Sequence, residues 1–126
     1  MAAPEDRYYL SSHEWHKPDG DHVLVGISKF AVDELTDITY LEVEKDSGEI
    51  AKGESFGEVE SVKATSELYV GIDGEVVEVN QEVIDNPAML NEDCYDAGWI
   101  LKIKPSDPEQ VTSLLNAADY SAQNAD

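Results

Sequence analysis

The chain has 126 residues, with 28 acidic side chains against 8 basic ones and a formal charge of −20 at pH 7. That length fits one domain, 1–126, with a single modest core, and the charge excludes nucleic acid and anionic lipid as partners because both would repel it. The hydrophobic fraction of 41% is adequate for globular folding, yet nothing approaches the roughly 20 consecutive apolar residues of a membrane helix.

From Met1 to Asp6 there is neither a basic start nor an apolar run, so the segment reads as neither a secretory signal nor a transit peptide, and a cytoplasmic location is expected. So many carboxylates would also suit a high-salt cytoplasm. The segment His13-Glu14-Trp15-His16 resembles a zinc site only at first sight. A helical protease motif needs its histidines at i and i+4, and these are three apart. A strand or loop edge is expected, with Trp15 packed and the histidines partly exposed.

His22 to Ile27 reads as a strand leading into a short helix through Leu35, which Ser28 can cap. Ile38 to Val43 is a second strand, rich in β-branched and aromatic residues. From there to Ile103 short apolar runs alternate with Gly, Asn and Asp, the rhythm of a small all-β barrel or sandwich. An internal echo lies within this region. Ser47-Gly48-Glu49-Ile50 recurs 26 residues later as Asp73-Gly74-Glu75-Val76. Two half-motifs suggest a pseudo-symmetric β-structure of two interlocked halves.

Lys63 falls between the two copies. Val59 and Val62 on one side, with Leu68, Tyr69 and Val70 on the other, favour two strands. Lys63-Ala64-Thr65 then sits at or near a hairpin turn. A lysine on the tip of a stiff β-scaffold is placed to be modified and to reach into other proteins' active sites; on spacing alone, a solvated surface lysine fits the same pattern.

The acidic runs Glu42 to Asp46 and Asn91-Glu92-Asp93 lack the spacing and central Gly of a calcium loop and read as solvated faces. Cys94, the one cysteine, cannot form an internal disulfide and is expected to be a small, partly buried hydrophobe. No phosphate loop, metal set or triad nucleophile is present, so no catalytic residue is assigned. After Lys104, Ser106 and Glu109 are spaced as a capping box with Pro108 in the first turn. Val111, Leu114, Leu115 and Ala118 then form one apolar stripe, giving a C-terminal helix over 106–119 that packs on the β-body. Beyond Tyr120 the tail is polar and expected to fray.

From Tyr9 to the C-terminal helix the chain resembles the glycine cleavage system H-protein family. The resemblance is carried by Ser12-His13-Glu14-Trp15, Val25-Gly26-Ile27, Lys52-Gly53-Glu54 and Glu60-Ser61-Val62-Lys63-Ala64. It continues through Gly74-Glu75-Val76-Val77-Glu78-Val79-Asn80, Asn91-Glu92-Asp93, Gly98-Trp99 and Ile103-Lys104. What it implies is a mainly β barrel-sandwich hybrid of two small sheets with a pseudo-twofold, a lipoyl-binding core over 22–104, and short added helices. Lys63 would carry lipoic acid in amide linkage, with Glu60, Ser61, Val62 and Ala64 recognised around it by a lipoylating enzyme. The protein would then be a carrier, not an enzyme. It would take the aminomethyl group of glycine from a pyridoxal-phosphate decarboxylase to a tetrahydrofolate-dependent aminomethyltransferase. A flavin dihydrolipoyl dehydrogenase would reoxidise the arm. Because the loaded arm ends in an ammonium, a cleft carboxylate should hold it, with Glu14 and Glu67 as the candidates. A monomer is the default expectation.

The family usually has proline where this chain has Glu44, Gly71 and Cys94, and glycine where it has Thr36. Three other readings compete. A biotin carrier usually sets its lysine between two methionines, whereas Lys63 lies between Val62 and Ala64. Lipoyl modules of 2-oxoacid dehydrogenases usually have Asp before the lysine and lack the His-Glu-Trp lead-in. The third is an acidic interaction protein, or an H-like protein that only relays lipoyl groups.

Overall fold

A computed structural model describes residues 4–123. In chain order the elements are β1 (Tyr8–Tyr9), β2 (Glu14–Asp19), β3 (His22–Ile27), α1 (Lys29–Leu35), β4 (Ile38–Val43), β5 (Gly48–Ile50), β6 (Ser55–Ser61) and β7 (Thr65–Tyr69). They continue with β8 (Gly74–Val79), α2 (Gln81–Asp85), α3 (Met89–Glu92), β9 (Leu101–Pro105), α4 (Glu109–Thr112) and α5 (Ala117–Gln123). The strands form two antiparallel sheets, one ordered β1-β2-β3-β9-β8-β5 and one ordered β4-β6-β7. The fold is mainly β, as the alternating pattern predicts.

The internal echo has a direct structural meaning. β5 and β8 pair antiparallel, with Gly48 opposite Val76, Glu49 opposite Glu75 and Ile50 opposite Gly74. Each copy of the motif therefore pairs with the other about the Glu49–Glu75 position, which is a local twofold. The inward residues of both sheets make one core that includes Val25, Ile27, Leu41, Phe56, Val59, Leu68, Ile72, Leu101 and Ile103. Burial of this apolar surface is the main favourable contribution to folding, at about 25 cal/mol per Å².

A second cluster joins the chain ends to the body through Tyr9, Trp15, Ala117 and Tyr120. Trp15 is opposite Gly26 in the β2–β3 register. A Cβ on Gly26 would lie 2.5 Å from the Trp15 ring, so only glycine leaves room for the indole. Trp15 Nε1 donates to the Cys94 carbonyl at 2.9 Å, and the Arg7 guanidinium caps the ring 4.7 Å from its centroid. Cys94 is buried, as expected, and burial pushes its thiol up to about 11.

Several expectations need correction. His16 is fully buried rather than partly exposed, because β2 is an interior strand between β1 and β3. The segment 106–119 is not one helix. Tyr9 and Leu115 exchange both backbone hydrogen bonds, which holds the chain extended between α4 and α5. Asn116 Oδ1 then accepts the Asp119 N–H at 2.8 Å and starts a new helix. The capping box does not form: the Ser106 N–H goes to the Asp73 carbonyl, and Asp107 Oδ1 accepts the Glu109 N–H instead. α5 continues past Tyr120 to Gln123, and the rest of the tail lies outside the described residues. No helix among the described residues is long and apolar enough to cross a membrane.

Candidate functional site

The β6–β7 hairpin ends in the turn Ser61-Val62-Lys63-Ala64. Glu60 pairs with Thr65, and the Ser61 N–H donates to the Ala64 carbonyl at 2.8 Å, closing the ladder. Ser61 Oγ accepts the N–H groups of Lys63 and Ala64, both at 3.0 Å. One serine side chain therefore does for this turn what a capping residue does for a helix end. Thr65 Oγ1 reaches Glu60 Oε1 at 3.3 Å across the last pair. Lys63 is exposed, as is Val62 at 72% of its surface. Among the described residues the Lys63 ammonium makes no ion pair, although Arg7, Lys17, Lys29, Lys45 and Lys102 each do. Glu60, Ser61, Val62 and Ala64 thus surround a lysine that is fixed at its backbone and exposed at its side chain.

Beside this hairpin is a cleft of about 150 Å³ between α1 and the inward faces of β6 and β7. Its walls are Ile27, Ala31, Leu35, Val59 and Leu68; Ser12, His13, Glu34 and Ser66 supply its polar groups. His13 stands at φ 87°, in the left-handed region, after a tight turn in which its N–H donates to the Leu10 carbonyl. Strain of this kind at a non-glycine residue marks a position the surroundings over-determine. Its ring packs 4.8 Å from Phe30, and burial holds its pKa below the usual histidine value, with Glu34 acting the other way.

Glu14 lies behind this cleft, fully buried. Its Oε2 accepts the Tyr69 N–H at 2.7 Å and Oε1 accepts from Ser12 Oγ at 2.5 Å. Burial drives its carboxyl up to about 7 against the lowering effect of those hydrogen bonds. Two residues on, His16 Nε2 accepts the Gly71 N–H at 3.0 Å, so its proton is on Nδ1, which has no hydrogen-bond partner among the described residues. Burial takes His16 down to about 3. Alternate residues of β2 thereby replace a neighbouring strand for the backbone that follows the hairpin. A proline at position 71 would have no N–H to give, so Gly71 and His16 form a matched pair.

Glu67 is exposed and accepts from Tyr69 Oη at 2.7 Å. Tyr69 therefore touches both expected carboxylates, Glu14 through its backbone and Glu67 through its hydroxyl. Neither lines the cleft. The carboxylate among the residues lining the cleft is Glu34, the penultimate residue of α1, which the sequence reading did not single out. Across the outer sheet face Glu42, Glu58 and Glu67 stand directly opposite one another on β4, β6 and β7. Partial desolvation and then the charges of Glu42, Glu60, Glu44 and Glu67 push Glu58 above the usual carboxylate range. Among the described residues no three His, Cys, Asp or Glu side chains are grouped to hold a metal.

The family model described as Glycine cleavage H-protein matches residues 7–126. The glycine cleavage system H protein of Cyanothece sp. is 47% identical over 120 residues, covering 95% of this chain and 93% of that one. That of Anaeromyxobacter sp. strain K is 46% identical over 122 residues, covering 97% and 95%. The crystal structure of the H protein from Mycobacterium marinum superposes with a TM-score of 0.86 at 39% identity, covering 96% of this chain and 98% of that one. The turn, the sheets and the terminal helices are all within the matched region, and the chain belongs to the glycine cleavage H-protein family.

Proposed function

We propose that this protein is a covalent carrier in which lipoic acid, in amide linkage to Lys63, moves the aminomethyl group of glycine between active sites. The observation that carries this reading is an exposed lysine, with no ion pair among the described residues, on a serine-clamped hairpin tip in a chain of the H-protein family. Lipoic acid would supply the redox-active sulfur pair that a single buried Cys94 cannot. Its donor is a pyridoxal-phosphate decarboxylase, its acceptor a folate-dependent aminomethyltransferase, and dihydrolipoyl dehydrogenase closes the cycle. Glu60, Ser61, Val62 and Ala64 are the residues a lipoylating enzyme reads.

The residues present fit such an arm. Acylating Lys63 removes an ammonium, so the extended side chain can lie against protein without desolvating a cation. Ser66 is three residues along β7 from Lys63, about 10 Å at 3.3 Å per residue. That distance is within reach of a lysine stem lengthened by an eight-carbon acyl chain. Ile27, Leu35, Val59 and Leu68 offer apolar contact, and carboxylates offer a partner for the ammonium of the cargo. Glu34 does so from the cleft itself, Glu14 from behind Ser12, and Glu67 from the flank of the hairpin.

The test is reconstituted glycine cleavage with parent and Lys63→Ala; activity that survives the substitution refutes the reading. Hydrolysis of the loaded arm in Glu14→Gln, Glu34→Gln and Glu67→Gln separates the carboxylates. Rates equal to the parent in all three would remove the cleft from the account while leaving Lys63 in it.

A further inference from the structure

Through the Tyr120 hydroxyl the C-terminal helix reaches the cleft beside the hairpin. Tyr120, on α5, stacks on Tyr9 with ring centroids 4.5 Å apart and an interplanar angle of 9°. Its Oη is 2.7 Å from His13 Nδ1 and 2.5 Å from Ser28 Oγ. Ser28 is fully buried and caps α1, its Oγ accepting the Ala31 N–H at 3.4 Å. Three groups from three separated segments thus form one chain, Ser28–Tyr120–His13, that ends at a residue lining the cleft.

The direction of that chain follows from where the buried protons can go. Ser28 Oγ already accepts from the Ala31 N–H, and the Tyr120 oxygen is the acceptor in contact with it for its own proton. With that oxygen accepting from Ser28, His13 Nδ1, 2.7 Å away, is the nitrogen placed to take the Tyr120 proton. Burial pushes the Tyr120 hydroxyl up to about 12, so it keeps a proton to give, and burial lowers the His13 pKa, which favours the neutral ring. A neutral imidazole with Nδ1 accepting must hold its hydrogen on Nε2.

We propose that Tyr120 is a positioning residue for the arm cleft, setting the His13 tautomer so that the imidazole offers Nε2–H as a hydrogen-bond donor there. The proposal rests on the cleft being the seat of the arm. It divides the polar groups by role: Glu34 accepts from the ammonium of the cargo, and His13 donates to sulfur, most strongly where the sulfur is a thiolate. The opposite tautomer would place a second acceptor in the cleft and leave the sulfur without a donor. It also makes the C-terminal helix part of the site, since Tyr120 reaches His13 from α5.

The first test needs no arm. Nitrogen-15 NMR of the histidine rings in the unmodified protein should show His13 with Nε2 protonated and Nδ1 unprotonated, the signal being assigned by its loss in His13→Gln. Tyr120→Phe keeps the ring, the stack on Tyr9 and the volume, and should convert that signature to a mixture of tautomers. A parent protein with the proton on Nδ1, or a signature unchanged in Tyr120→Phe, overturns the proposal. The second test loads the arm. Tyr120→Phe should speed its hydrolysis about tenfold, the effect of losing one well-placed hydrogen bond. Unchanged hydrolysis in Tyr120→Phe with faster hydrolysis in Glu34→Gln overturns the positioning role alone. Unchanged hydrolysis in both overturns the cleft reading as well.

Discussion

Glu14 and His16 are buried on the same face of β2 and titrate in opposite directions, which gives a stability profile that two substitutions can take apart. Glu14 moves from its ordinary 4.5 to about 7 in the fold. Between those values the folded chain binds a proton that the unfolded chain does not, so stability falls as pH rises, by about 3 kcal/mol in all. His16 moves from 6.5 to about 3. Between those values the unfolded chain binds a proton that the folded chain refuses, so stability falls as pH drops, by about 5 kcal/mol in all. In the overlap from 4.5 to 6.5 the two slopes oppose each other and cancel. Glu14→Gln keeps an oxygen for the Tyr69 N–H and offers an N–H to Ser12, while removing one of the slopes. The assay is urea unfolding in pH steps at fixed ionic strength, followed by the fluorescence of buried Trp15 and evaluated by linear extrapolation. Relative to the parent, Glu14→Gln should gain about 3 kcal/mol between pH 4.5 and 7. His16→Gln should lose its disadvantage as the pH falls from 6.5 toward 3. A Glu14→Gln difference that stays flat with pH would mean that the buried carboxylate is ionised throughout, and the reasoning from burial would fail.

Further outcomes can be measured on the same protein. Thr36 ends α1 at φ 67°, where a β-branched residue is strained; Thr36→Gly should raise stability by about 1 kcal/mol, and a loss would show that the Thr36 side chain is needed there. Ser61→Ala removes two acceptor contacts from the turn. It should cost about 0.5–2 kcal/mol, with faster amide exchange at Lys63 and Ala64 and slower lipoylation, and unchanged exchange would refute the clamp. The Glu42–Glu58–Glu67 row is self-repelling. Raising salt should therefore stabilise the free protein while weakening its docking to partners, and a flat titration of either quantity contradicts that half of the statement.

What could be read in advance depended on whether the signal was local. The turn at Lys63 was legible because the strand-favouring residues Val59, Val62, Leu68, Tyr69 and Val70 flank it within a few residues, whereas the Ser61 clamp was not read. The repeat of Gly48-Glu49 at Gly74-Glu75 disclosed the twofold because the copies pair with each other. The break between α4 and α5 was not legible. Its cause is Tyr9, more than a hundred residues away, taking both backbone groups of Leu115, and only Asn116 hinted at a second helix start. The burial of His16 was hidden for the same reason, since its partner is the backbone of Gly71. Glu14 was picked from the family resemblance and Glu67 from its spacing to Lys63. Sequence distance could not show that Glu34, the penultimate residue of α1, is the acid lining the cleft.

The central claim concerns one nitrogen, and it is tested most directly by intact and peptide-level mass spectrometry of protein isolated from its own cells while they are breaking down glycine. The expected result is a lipoyl increment on the whole chain, localised to the peptide containing Lys63. A bare Lys63 under those conditions, or a biotinyl increment in its place, would contradict the account.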